Sequence, residues 1–152
     1  MPDVFISYSN HDIKFAKFLH RHFMAEGLKV FTASVSLKHG KRWSPQILRN
    51  LRNSQWVFFL ASREACRSPY VQQEMGAAVF SQKKLIPIVW DMPPSELPGW
   101  TKEYQALDLR GVTIEQVRSQ LSAIVGRIKS DKFWFFATLL IGGVLIFTAT
   151  RK

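Results

Sequence analysis

Cysteine is all but missing from this chain: Cys66 stands alone among 152 residues. That excludes an internal disulfide and a cysteine-built zinc site, and it suits a reducing compartment. A lone thiol without a matched base nearby in sequence reads as inert packing. Acidic residues are scarce too, 11 Asp and Glu against 21 Lys and Arg. The sequence holds no GxGxxG, no Walker A loop, no GxSxG elbow and no Cys/His cluster at metal-ligand spacing, so the usual dinucleotide, NTPase, hydrolase and zinc readings lose their signatures. The start "MPDVFISYSNHD" lacks the basic and apolar regions of a signal peptide. The basic residues are scattered without an interleaved aromatic stripe, so no nucleic-acid partner is expected.

Charge is also missing from one long stretch near the end. "FWFFATLLIGGVLIFTAT", residues 133–150, has no ionisable residue and is bounded by Lys132, Arg151 and Lys152. A helix of that length spans about 27 Å, close to the hydrocarbon thickness of a bilayer. Trp134 and the flanking cations suit its interfaces. The expectation is a single-pass membrane helix over residues 133–150, a basic tail at 151–152, a short linker at 130–132, and one folded domain over 1–129. That domain is expected on the cytoplasmic side of the cell membrane. Residues 1–130 carry 18 Lys or Arg against 10 Asp or Glu, a charge that would favour an anionic bilayer surface.

Within the domain, short β-rich apolar runs alternate with helical patterns. "DVFISY", "LKVFTA", "QWVFFLAS", "KKLIPIVWD" and "YQALDLR" read as five strands. Pro87 argues for a bulge or an edge-like position in the fourth. A first helix is expected between His11 and Gly27, with Asp12 as its cap and Ile13, Ala16, Phe18, Leu19, Phe23 and Met24 at helical spacing. A second carries Trp43, Ile47 and Leu51 on one face. A third begins at "SPYVQQEMGAAVF" with Val71, Met75, Ala78 and Val79 inward. A last one places Ile114, Val117, Leu121, Ile124, Val125 and Ile128 on one stripe. This alternation implies an α/β fold, a five-stranded parallel sheet with helices on both faces, and a ligand site at the carboxyl ends of the strands.

Three segments follow strand ends: "YSNHD", "SVSLKHGKRW" and "SREACRSPYVQQE". They should meet in one cleft, into which Glu74, one turn into its helix, would point. The histidines His11, His20, His22 and His39 lack a ligand pattern and read as surface polar groups.

Taken in order, "DVFISYSNHD", "GLKVF" followed by "GKRWSPQI", "SQWVFFLAS", "SPYVQQEMGAA" and "KKLIPIVW" resemble the TIR (Toll/interleukin-1 receptor) domain, especially its prokaryotic branch, over residues 3 to about 129. The resemblance implies a flavodoxin-like fold and cleavage of NAD+ between nicotinamide and ribose, with NAD+ as substrate and no cofactor or metal. The family's catalytic acid lies in a Trp-x-x-x-Glu pattern. Here Tyr70 replaces the tryptophan and Glu74 keeps the acid. By resemblance Tyr8, Ser9 and Asn10 contact the nucleotide. The loop with Lys38, Lys41 and Arg42 covers the site and mediates association with other TIR domains. Trp43 either packs behind that loop or joins the substrate contacts. One departure counts against catalysis: Thr32 and Ala33 stand where members often carry an acid. Two alternatives to an enzyme in antiviral defence or nucleotide signalling therefore remain at this point: a non-enzymatic adaptor at a membrane, or a membrane-disrupting effector gated by the TIR domain.

Overall fold

The computed structural model describes residues 1–34, 44–67, 72, 76, 84–101 and 104–150, with Trp100 and residues 141–150 as backbone only. It comprises two compact units, Met1–Val112 and Thr113–Lys152.

The first unit is built on five parallel strands: β1 (Val4–Tyr8), β2 (Val30–Ser34), β3 (Trp56–Leu60), β4 (Lys84–Val89) and β5 (Leu107–Asp108). Their order is β2-β1-β3-β4-β5. The order reverses at β1, with β2 on one side and β3 on the other, and such a switch point opens a crevice at the carboxyl ends of the strands. The apolar run of β3, WVFFL, is buried along its whole length, as a central strand covered on both faces must be.

Register separates the side chains into two layers. Phe5, Phe31 and Val57 are aligned across three strands. With Ala33, Phe59, Ala61, Leu85 and Val89 they form one core, against which Leu51 and Ile47 of α2 (Pro45–Asn53) pack. On the opposite face Phe58 meets Phe23 of α1 (Ile13–Ala25), ring centroids 4.9 Å apart. The sheet thus has helices on both faces.

Local chemistry sets the helix ends. Leu28 N–H donates to the Phe23 carbonyl and Gly27 N–H to that of Met24, with Gly27 at φ 83°; this is a Schellman stop, and the left-handed residue is the expected glycine. Ser44 caps α2 by accepting from Ile47 N–H at 3.3 Å, and Pro45 occupies the first turn. A short helix, α3 (Arg63–Cys66), follows β3 where the sequence suggests only loop. Ser62 caps it, accepting from Ala65 N–H at 3.2 Å.

Pro87 is placed as expected. Lys84 N–H donates to the Gln55 carbonyl of the β3 side, so alternation turns the Pro87 nitrogen to the β5 side, and β5 pairs only from Ile88 onward. No ladder bond is lost there. The expected fifth strand over residues 104–110 shortens to two residues.

The second unit is α4 (Ile114–Thr150). Thr113 and Gln116 form a capping box: Gln116 N–H donates to Thr113 Oγ1 at 3.3 Å, and Thr113 N–H to Gln116 Oε1 at 3.0 Å. Val117, Leu121, Ile124, Val125 and Ile128 are buried, whereas Ile114, expected in that stripe, is exposed. Residues 130–132, expected as a linker, are helical, since no glycine or proline interrupts the chain there. Beyond them Phe133, Trp134, Phe135, Phe136, Leu139 and Leu140 are all exposed. Among the described residues no helix is long and apolar enough to cross a membrane; residues 141–150 of the expected span are outside that statement.

Candidate active site

Four strand ends are laced together by polar side chains. Ser9, directly after β1, is buried and caps a 3-10 turn (Asn10–Asp12), accepting from His11 N–H at 3.3 Å. The Asn10 amide oxygen accepts from Ser34 Oγ at 2.6 Å, which ties the end of β1 to the end of β2. Asp12 caps nothing with its side chain, contrary to the sequence expectation. It accepts instead from Ser62 Oγ at 2.5 Å, which joins the β1 loop to the β3 loop across 50 residues. Arg63 N–H donates to both carboxylate oxygens of Asp91, each at 3.1 Å, and its side chain pairs with Glu96 at 2.9 Å. The β3 and β4 loops are closed together by that bidentate contact.

These bonds set the local electrostatics. Burial is the main influence on Asp12 and raises its pKa; the Ser62 hydrogen bond opposes this, Asp91 adds to it, His11 opposes it and Glu64 adds to it, with a net upward shift. Cys66 is pushed up to about 12 by burial, with Asp91 and Asp12 contributing. It is a protonated, unreactive thiol at neutral pH, which agrees with its reading as packing. The Gln72 side-chain amide donates to the Cys66 carbonyl, fastening α3 to a helical residue two positions before Glu74.

Of the residues expected at the substrate, Ser9 and Asn10 meet at the strand ends. Tyr8 belongs to the opposite layer: it lines a groove beside α1 together with Thr32, Lys17, His20 and Arg21. Glu74, Tyr70, Lys38, Lys41, Arg42 and Trp43 lie outside the described residues, as do Val71, Met75, Ala78 and Val79. Ala33 is buried in the apolar core on the α2 side, aligned with Ser7 of β1. Ser7 Oγ is buried and has no hydrogen-bond partner among the described residues. Asp12, Ser62, Arg63 and Asp91 were not singled out as site residues from sequence; their signal was simply polar residues at the carboxyl ends of successive strands. Among the described residues no cluster of three His, Cys, Asp or Glu could hold a metal ion.

The fold is that of a flavodoxin-like α/β protein with a crevice at the strand carboxyl ends. A family model for the TIR domain matches residues 4–122, so the chain belongs to the TIR domain family. A protein of Brachypodium distachyon described as a probable 2′ cyclic ADP-D-ribose synthase is 31% identical over 97 residues, 62% of this chain; the match spans 43% of that relative's length. Among solved structures, the TIR domain of a Toll-related receptor from Hydra magnipapillata aligns with TM-score 0.62 at 18% identity, covering 85% of this chain and 99% of that one. A TIR-STING receptor from C. gigas aligns with TM-score 0.64 at 17% identity, over 82% of this chain and 39% of the other. A flavodoxin-like domain from Synechococcus gives 0.63 at 12% identity, over 92% and 99%. These structural likenesses concern the fold.

Proposed function

We propose that the chain cleaves NAD+ at the bond between nicotinamide and ribose, as a glycohydrolase or an ADP-ribose cyclase, in bacterial antiviral defence or nucleotide signalling. The observation that carries this reading is the 31% identity to a relative described as a cyclic ADP-ribose synthase, within a TIR domain that retains an acid, Glu74, four residues after an aromatic, Tyr70. Breaking the bond develops positive charge on the ribose while neutral nicotinamide leaves. A carboxylate beside the ribose stabilises that charge. Glu74 takes this role, Tyr70 offers a ring face for stacking, and Ser9 and Asn10 supply polar contacts from the β1 end. Lys41 meets the diphosphate and Trp43 backs the loop that closes over it. Water or an adenine nitrogen then captures the ribosyl cation.

The same reading anchors the protein in a membrane through residues 133–150. The exposed run Phe133, Trp134, Phe135, Phe136, Leu139 and Leu140 supports it, since six large apolar groups open to solvent on one segment are costly in water and favourable in hydrocarbon. Confinement to a plane would raise the effective concentration for self-association of TIR domains.

The test is NAD+ consumption and product identity with the full chain in neutral-lipid vesicles, beside Glu74→Gln. Wild-type turnover reduced at least a hundredfold by the substitution is expected, the order of loss on removing one transition-state charge contact. Equal turnover by both proteins would defeat the assignment of Glu74, and no turnover by either would favour an adaptor.

A further inference from the structure

The groove beside α1 is cationic, and among the described residues no acid neutralises it. It has a volume of about 330 Å3 and is lined, among the described residues, by Lys17, His20 and Arg21 from α1 and by Tyr8 and Thr32 from the facing sheet layer, with Ile13 and Ala16. Positions 17, 20 and 21 are i, i+3 and i+4 of one helix and therefore present one face. Tyr8 and Thr32 reach the same space because β1 and β2 run in parallel register, Ile6 beside Thr32 and Tyr8 beside Ser34. The result is two hydroxyls facing three nitrogen-bearing side chains, with no carboxylate among the described lining residues.

Several cations among the described residues are matched by acids. Arg63 pairs with Glu96, Arg67 with Glu64 and Arg110 with Asp108. Lys17, His20 and Arg21 form neither an ion pair nor a hydrogen bond among the described residues. An ordinary solvated helix face would be interspersed with acids at i+3 or i+4. This face has none: residues 13–25 contain no Asp or Glu at all.

We propose that this groove is a second binding site, for the phosphate groups of a phosphorylated small molecule. The guanidinium of Arg21 can grip two phosphate oxygens at once, Lys17 adds a point charge, and hydroxyl and imidazole donors complete the set. The volume is at the small end for ligand pockets, enough for a phosphate or diphosphate with a short attached skeleton resting on Ile13. The site does not depend on NAD+ cleavage being the activity of the chain.

The experiment titrates inorganic pyrophosphate into the full chain held in phosphatidylcholine nanodiscs, read by calorimetry and by amide shifts of His20 and Thr32. Saturable binding is expected, centred on those two amides and weakened at least tenfold by Lys17→Ala/Arg21→Ala. Lys29→Ala/Arg49→Ala, which removes the same charge elsewhere, should change it less than twofold. A parallel series in discs containing phosphatidic acid separates the sources. Protection of the same amides by the lipid without pyrophosphate, abolished by the Lys17/Arg21 pair, would assign the phosphate to a headgroup. Failure of both anions to shift the groove, or equal weakening by the two double variants, would overturn the site and leave only general charge attraction.

Discussion

Strands β2 and β3 lie on opposite sides of β1 and divide its work. β3, WVFFL, is buried at all five positions, whereas β2, VFTAS, has one buried residue and four half-buried ones. The first carries no polar side chain except the Trp56 indole; the second ends in Thr32 and Ser34, which face the groove and the β1 loop. Both are paired to the same strand over nearly the same residues. The backbone ladder is therefore common to both, and the difference lies in what the side chains meet. Stability is concentrated in β3, and the edge strand is left free to carry polar groups whose removal the fold tolerates.

Two substitutions on the β3 side should have the largest effects. Phe58→Ala removes a fully buried ring packed on Phe23 and should cost about 3–5 kcal/mol in denaturant unfolding. A loss below about 1 kcal/mol would break the contrast with β2. Ser62→Ala, just beyond the end of β3, removes both the cap of α3 and the donor to Asp12. An expected cost of about 1–3 kcal/mol follows from losing a cap and stranding a half-buried carboxylate, and faster hydrogen exchange at Ala65 would locate it.

The parts of this architecture that repeat locally were legible in the sequence. Apolar runs separated by amphipathic stretches disclosed all five strands and the parallel order of layers, and Gly27 marked a helix end by its chemistry. The site was less legible because its bonds are not local. Asp12 looks like a helix cap from its neighbours, yet its partner Ser62 is 50 residues away. The resemblance groups Tyr8 with Ser9 and Asn10 in the loop after the first strand, but strand alternation sends its ring to the α1 layer. α3 is a single turn, too short for periodicity to reveal. Residues 130–132 looked like a boundary because Asp131 and Lys132 are charged, but charge does not stop a helix as glycine or proline does.

On the edge, Ser34→Ala should lower stability by no more than about 1 kcal/mol, the usual net worth of one partly exposed hydrogen bond. Its expected consequence is functional. Asn10 loses the hydroxyl that holds the β1 loop to β2, so under the proposed NAD+ cleavage KM for NAD+ should rise severalfold with kcat little changed. A stability loss as large as that of Ser62→Ala would show that the edge is as structural as the centre.

The smallest effect concerns the carboxylate linking the two sides. Asp12 has a pKa raised above its ordinary 3.8, chiefly by burial. The native state therefore binds its proton more tightly than the unfolded chain does, and that contribution is complete below pH 3.8 and lost as pH rises through the folded pKa. Asp12→Asn keeps an oxygen to accept from Ser62 but removes the charge. Its melting temperature should match the native protein's at the acid end of that window and exceed it by a growing, then constant, margin toward neutral pH. A margin that shrinks with rising pH would mean that the Ser62 hydrogen bond outweighs burial, and would place Asp12 among the groups that stabilise the site by being ionised.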